Sequence, residues 1–232
     1  MILCKKCNCE FQGNYCPHCG QQSKVERITG RYIATEIATV FNLQKGFFYT
    51  VKELVIRPGN SIRTFISEER NRFVKPIAFI LVTSLIYTIV VAFFHFQDGV
   101  IDSIQNAYDN PVFNWVENHY GYANIIMAFF ISLWLKIFFR KYPYNIFEIL
   151  VLLCYVMGVG MLIYTLFDII IGITQVNLLY VEAIVGLIYT TYAIGQFYDK
   201  KKVVSYAKAL VSYLLGMLVF TLVLSFLTIL IK

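Results

Sequence analysis

Hydrophobic positions dominate the chain from residue 76 onward and are interrupted only by short polar stretches. Each apolar run is long enough to cross a hydrocarbon core of about 30 Å as a helix, which takes about 20 residues. Helices are favoured because lipid offers no partners to free backbone groups, and the alternation typical of a membrane barrel is not seen. The pattern predicts an all-α membrane domain of five spans, at residues 76–96, 122–139, 146–171, 178–197 and 203–231.

Residues 23–75 follow a different pattern, in which apolar residues recur at helical spacing between basic ones. This spacing predicts three short amphipathic helices, near residues 28–41, 50–57 and 61–73, that lie along the membrane surface. Their cations allow two interpretations: topology anchors on a solvated face, or a platform that contacts lipid phosphate. The residues concerned are Arg57, Arg63, Arg70, Arg72 and Lys75.

Composition narrows the class of protein. Of the 232 residues, 58% are hydrophobic and 15% are charged, and the mean hydropathy is +0.63. An average soluble domain has about 45–50% apolar and about 25% charged residues. These values exclude a disordered chain, disfavour a soluble enzyme and leave an integral membrane protein. The motifs of serine hydrolases, zinc proteases and nucleotide-binding loops do not occur, so we expect no enzymatic activity.

The distribution of charge predicts the topology. Residues 1–75 hold 12 Lys and Arg against 6 Asp and Glu, which accounts for the whole net charge of +6. The stretches 97–121 and 172–177 contain no Lys or Arg, so 19 of the 20 basic residues fall on one side of the five-span arrangement. Basic loops are retained in the cytoplasm. We therefore expect a multi-pass protein of the bacterial cytoplasmic membrane, with its N-terminus inside, its C-terminus outside, and phospholipid rather than nucleic acid as the partner of its basic segment.

Two CxxC pairs open the chain and supply Cys4, Cys7, Cys16 and Cys19. A cytoplasmic location disfavours structural disulfides, and four thiolates in two such turns are typical of tetrahedral zinc. About 20 residues bury too little surface for a core, so zinc would supply the folding free energy of a ribbon at residues 1–22. A short hairpin is expected at residues 10–15. A redox dithiol and an iron–sulfur site remain alternatives, and Cys9 and His18 are possible substitute ligands.

Three ionisable residues lie near the outer ends of predicted spans: His95, Asp168 and Glu182. Charged groups inside hydrocarbon are costly, so they are typical of functional sites or of buried pairs. If the spans are neighbours, these residues form a proton or cation site. The alternative is that all three are rim residues that water reaches.

Two segments of the chain resemble a known family of bacterial membrane proteins. They read GFFYTVKELVIRPG at residues 46–59 and ERNRFVKP at residues 69–76. Together with the preceding cysteine pairs, they are similar in order to the family catalogued as domain of unknown function 3667, over roughly residues 4–80. The resemblance implies a cytoplasmic-membrane protein with a zinc ribbon and supplies no activity.

Three functions fit these features. The first is a non-enzymatic scaffold or accessory subunit, whose zinc-stabilised head and basic platform bind a protein partner or companion membrane subunit. The second is a small oligomeric transporter or channel for an ion or a lipid, which the intramembrane acids favour. The third is a redox or metal sensor that acts through the cysteine pairs.

Overall fold

The computed structural model describes residues 2–4, 7, 9–13, 16–19, 46–67, 72–95, 115–116 and 119–231. The chain divides into two compact units, Met1–Thr39 and Val40–Lys232. The amphipathic helix predicted near residues 28–41 lies outside the described residues, and so does Arg70.

The described residues of the small unit include an antiparallel strand pair. Strand β1 (Ile2–Leu3) pairs with β2 (Glu10–Phe11), and Leu3 lies opposite Glu10. The amide of Cys4 donates to the carbonyl of Cys9 at 3.0 Å, which continues the pairing toward the first cysteine turn. The two strands lie on either side of the first CxxC pair. The hairpin predicted at residues 10–15 extends beyond the described residues.

Among its described residues, the large unit contains seven helices. They are α1 (Phe47–Ile56), α2 (Pro58–Ser67), α3 (Pro76–His95), α4 (Tyr120–Phe138), α5 (Ile146–Thr174), α6 (Leu179–Asp199) and α7 (Val203–Ile231). In four of these described helices, a segment is long and apolar enough to cross a membrane, namely Pro76–Phe94, Tyr120–Phe138, Ile146–Thr174 and Val203–Ile229. They coincide with four of the five predicted spans.

The remaining predicted span, at residues 178–197, falls on α6. Its helical structure is present, but α6 is not one of the four segments that meet the length and hydropathy of a span. Glu182, Gln196 and its several tyrosines and threonines lower its hydropathy. The helix packs against α5 and α7, so it is part of the bundle.

Helix α5 is the centre of the large unit. Buried residues run without a break from Leu152 to Met161, because α3, α4 and α6 all pack against this helix. Gly158 permits close packing: a Cβ there would lie 2.7 Å from the ring of Phe79 on α3. A capping box begins α5, in which the side chains of Asn145 and Glu148 each accept the other's backbone amide. This box satisfies two of the amides that a helix start leaves free.

Candidate functional site

The four CxxC cysteines form one cluster in the small unit. Their sulfur atoms all lie within 4.8 Å of one another. The Sγ atoms of Cys4 and Cys19 are 3.4 Å apart, and those of Cys7 and Cys16 are 3.6 Å apart. These distances far exceed a disulfide bond of about 2.05 Å, and none of the four cysteines forms a disulfide. Cys4 and Cys16 are only 3% and 2% exposed.

The geometry of this cluster fits a metal ion. Zinc binds thiolate at about 2.3 Å, which places the sulfurs of a tetrahedral site about 3.8 Å apart. The two Sγ–Sγ separations of 3.4 and 3.6 Å come close to this value. The cluster can therefore hold a metal ion, as the cysteine spacing predicted.

The protonation of Cys7 reflects its crowded surroundings. A backbone hydrogen bond from Cys9 lowers the pKa of the Cys7 thiol, while desolvation and the neighbouring thiols raise it, and the net pKa is above the ordinary value. Bringing four sulfurs together opposes their ionisation. A bound cation reverses this effect because it favours the thiolate form.

A second site is the docked segment, which we define as residues 46–67 together with 72–75. The hydroxyl of Tyr155 on α5 donates to the Val74 carbonyl at 2.6 Å, and the Val74 amide donates to Oγ1 of Thr50 at 3.1 Å. The hydroxyl of Tyr189 on α6 donates to the Leu54 carbonyl at 3.1 Å. Thr50 and Leu54 are buried. The predicted surface helices are thus hydrogen-bonded to the bundle through their backbone.

Helix α2 crosses α6 at backbone distance. A Cβ on Gly59 would lie 2.4 Å from the carbonyl carbon of Gln196, which no real Cβ can do. The Gly59 amide donates to Oε1 of Gln196 at 3.3 Å. Pro58 begins the helix at the position where its missing N–H costs nothing. The sequence Arg57-Pro58-Gly59 therefore ends α1, starts α2 and allows the crossing.

The predicted phosphate-contacting cations differ in their contacts. Arg57 and Lys75 are exposed. Nη1 of Arg63 donates to the carbonyl of Phe197 at 3.4 Å, so part of its guanidinium binds the last turn of α6. The Arg72 guanidinium lies 4.9 Å from the centre of the Tyr49 ring. Arg70 lies outside the described residues.

The basic loops lie at the same end of the bundle as the docked segment. The ring of Phe139 stacks on that of Tyr198 with centroids 3.8 Å apart, and the ring of Tyr144 lies 4.5 Å from that of Phe197. The loop after α4 therefore meets the end of α6, where Arg63 also binds. The cations that this end gathers include Arg57, Arg63, Arg72, Lys75, Arg140, Lys141, Lys200, Lys201 and Lys202.

The third site lies toward the opposite end and contains two of the three predicted ionisable residues. Asp168 on α5 and Glu182 on α6 are 5% and 9% exposed, and their carboxylates interact electrostatically. Within the described part of the chain, Oε2 of Glu182 is buried without a hydrogen-bond partner. The side chain of His95 lies outside the described residues. The structure therefore brings Asp168 and Glu182 together.

Tyrosines lie around these two carboxylates. Sequence analysis predicted the acids but not the tyrosines. The Tyr87 hydroxyl interacts electrostatically with both carboxylates, and the ring of Tyr120 lies 5.1 Å from that of Tyr87. Tyr164 interacts with Glu182 and packs over Gly186, where a Cβ would lie 2.6 Å from the Tyr164 hydroxyl oxygen. Only Tyr164 carried a sequence signal, since it precedes Asp168 by four residues and shares its helix face.

Comparison with known proteins finds a match to part of the chain. The family model described as "Protein of unknown function (DUF3667)" matches residues 44–88. The family resemblance is confirmed. The match covers α1, α2 and the first part of α3, and it does not include the cysteine pairs. No curated protein and no solved structure matches the chain.

The DUF3667 match coincides with the docked segment and its first contacts on α3. Five positions of the motif are buried: Gly46, Thr50, Leu54, Pro58 and Gly59. Its two cations, Lys52 and Arg57, are exposed. The motif therefore combines residues that fix two short helices to the bundle with positive charges that point away from it.

Proposed function

We propose that this protein is a non-enzymatic scaffold or accessory subunit of the bacterial cytoplasmic membrane, which binds a protein partner through its N-terminal head and its basic end. The observation that carries the proposal is the docked segment. Two tyrosine hydroxyls, of Tyr155 on α5 and Tyr189 on α6, donate to its backbone, and Arg57, Arg72 and Lys75 lie on the outside. A rigid cationic surface of this kind supports recognition of anionic partners rather than chemistry.

The proposed topology includes α6 as a fifth span. The docked segment and the basic loops lie at one end of the bundle, as cytoplasmic retention of Lys and Arg requires. With five spans this end faces the cytoplasm together with the N-terminus, and the C-terminus is outside. The buried face that α6 presents to α5 and α7 supports its place in the bundle, because Glu182 is then shielded from lipid.

The metal of the head is proposed to be zinc. Four thiolates in a tetrahedral arrangement favour zinc, and two of them are buried as in a closed structural site. The role of the ion would be to fold the small unit, not to catalyse a reaction.

Isolation of the native complex tests the proposal. We expect a protein partner at fixed stoichiometry and bound anionic phospholipid when the tagged chain is extracted in mild detergent and examined by mass spectrometry. The double variant Arg57→Gln, Lys75→Gln should weaken binding of a short-chain anionic phospholipid about 30-fold, since each charge contributes about 1 kcal/mol. Arg57→Lys with Lys75→Arg is the charge-preserving control. Absence of a stoichiometric partner would contradict the scaffold function.

A second candidate function is transport of a proton or cation by an oligomer. The burial of Asp168 beside Glu182 is the observation that favours it, because two carboxyl groups away from water need a counter-charge or a proton. In proteoliposomes, Asp168→Asn and Glu182→Gln should each abolish a pH-gradient-dependent flux. Flux that persists unchanged in both variants would exclude these acids as its pathway.

A further inference from the structure

A second group of metal-ligating atoms lies beside the four-cysteine cluster. The Sγ atoms of Cys7 and Cys9 and a ring nitrogen of His18 all lie within 4.8 Å of one another. Cys7 belongs to both groups. A point therefore exists no more than about 2.8 Å from all three atoms, which is close to the about 2.0–2.3 Å that zinc needs from nitrogen and sulfur.

Exposure distinguishes the two groups. In the four-cysteine cluster, Cys4 and Cys16 are buried. In the second group, Cys7 and Cys9 are half-buried and His18 is exposed. The first group is thus more shielded from solvent than the second, which includes an exposed ligand.

The same backbone elements position both groups. The hydrogen bond from the Cys4 amide to the Cys9 carbonyl fixes Cys9 next to the first cysteine turn, and the Cys9 thiol lies 3.6 Å from the Cys7 carbonyl oxygen. His18 lies between Cys16 and Cys19 in the second turn. Folding of the four-cysteine site therefore brings the second set of donors together without further ordering of the chain.

The donor set is suited to a thiophilic cation. Two thiolates and one imidazole are ligands that zinc prefers, and a thiolate that binds one ion retains lone pairs with which it can bridge to another. Three protein ligands leave a fourth coordination position for water or an incoming ligand. Sites of this type exchange their metal more readily than closed sites with four protein ligands.

We propose that Cys7, Cys9 and His18 form a second, open zinc position that shares Cys7 with the structural site and exchanges its ion with the surroundings. This position goes beyond the proposed scaffold function, which needs only the closed site. It gives the head a means of responding to the supply of zinc, since the second ion binds more weakly than the first.

Metal counting on the full-length protein in detergent tests this proposal. The reduced protein is equilibrated with excess Zn²⁺, freed of unbound metal and analysed for zinc and protein before and after brief exposure to a weak chelator. We expect two zinc ions per chain before the chelator and one after it. Cys9→Ser and His18→Asn should each hold one ion under both conditions.

Matched controls exclude non-specific binding. Cys154→Ser removes a buried thiol of α5, and His119→Asn removes an exposed imidazole of the large unit; both should keep two ions. Saturation of the wild-type chain at one ion overturns the second position and leaves the structural site standing. Two ions that persist in Cys9→Ser and His18→Asn overturn the ligand assignment. A chain that binds no zinc overturns both the second position and the proposed zinc head.

Discussion

At Gly59, the docked segment packs closely against the bundle. Substitution by alanine tests this contact because it adds only one methyl group. Its neighbours are backbone atoms of α6, which cannot rotate away as a side chain can. Gly160 on α5 offers the opposite case: nothing lies within 4 Å of a Cβ built there, although the residue is buried within a helix. Close packing therefore requires a glycine at position 59 but not at position 160.

We expect Gly59→Ala to lower the free energy of unfolding by about 1–3 kcal/mol, because overpacking forces α2 away from α6. Gly160→Ala is the control and should raise stability by about 0.5–1 kcal/mol, since alanine loses less backbone entropy in a helix. Thermal unfolding of both variants in detergent measures the difference. Equal stabilities would contradict the backbone crossing.

At the scale of elements, connected hydrogen bonds hold the chain segment from α1 to the start of α3 in position. Val74 takes part in two of them, as a donor to Thr50 and as an acceptor from Tyr155. Aromatic packing adds to these hydrogen bonds, because the ring of Tyr155 lies between those of Phe65 on α2 and Phe79 on α3, with centroid distances of 5.4 and 5.6 Å. Tyr155 therefore ties three helices together.

Tyr155→Phe keeps the ring and removes only the hydroxyl, so we expect a loss of about 1 kcal/mol of stability. The docked segment should also become more sensitive to protease, because its tie to α5 is weakened. Tyr180→Phe alters a tyrosine that is 83% exposed and should change neither property. Limited proteolysis and thermal unfolding read out both effects.

Sequence pattern predicted the long helices because hydropathy and helix length are local properties. The span predicted at 146–171 is helix Ile146–Thr174, and that at 203–231 is Val203–Ile231. Docking of α1 and α2 could not be predicted, since the amphipathic pattern that suits a membrane surface equally suits the end of a helix bundle. The proximity of Asp168 to Glu182 could not be predicted, because the sequence does not show that α5 and α6 are neighbours. The cysteine cluster was predictable because spacing alone determines a CxxC turn.

At the scale of the whole molecule, two units carry separate chemistry. The small unit has a cysteine cluster that can hold a metal ion and no extended core among its described residues, whereas a hydrophobic core runs through the large unit from α1 to α7. Because the two units differ in core size, we expect different interactions to supply the folding free energy of each. Metal binding supplies that free energy where apolar burial cannot.

Removal of the proposed zinc ion should therefore unfold the small unit and leave the large one intact. We expect chelation with 1,10-phenanthroline to make residues 1–39 sensitive to protease while the helical content of the bundle is retained. Cys16→Ser should reproduce this without the chelator, and Cys154→Ser should not. Protease resistance of the N-terminal unit after complete loss of metal would show that it folds without the ion.

The crossing of the membrane by α6 is the central claim for the whole molecule, because the sides on which the basic loop after α6 and the C-terminus lie depend on it. Asn177 and Lys201 are exposed residues just beyond the two ends of this helix. In intact cells, a membrane-impermeant maleimide should label Asn177→Cys, and it should label Lys201→Cys only after the membrane is opened. Equal labelling of the two positions in intact cells would contradict a fifth span and the topology built on it.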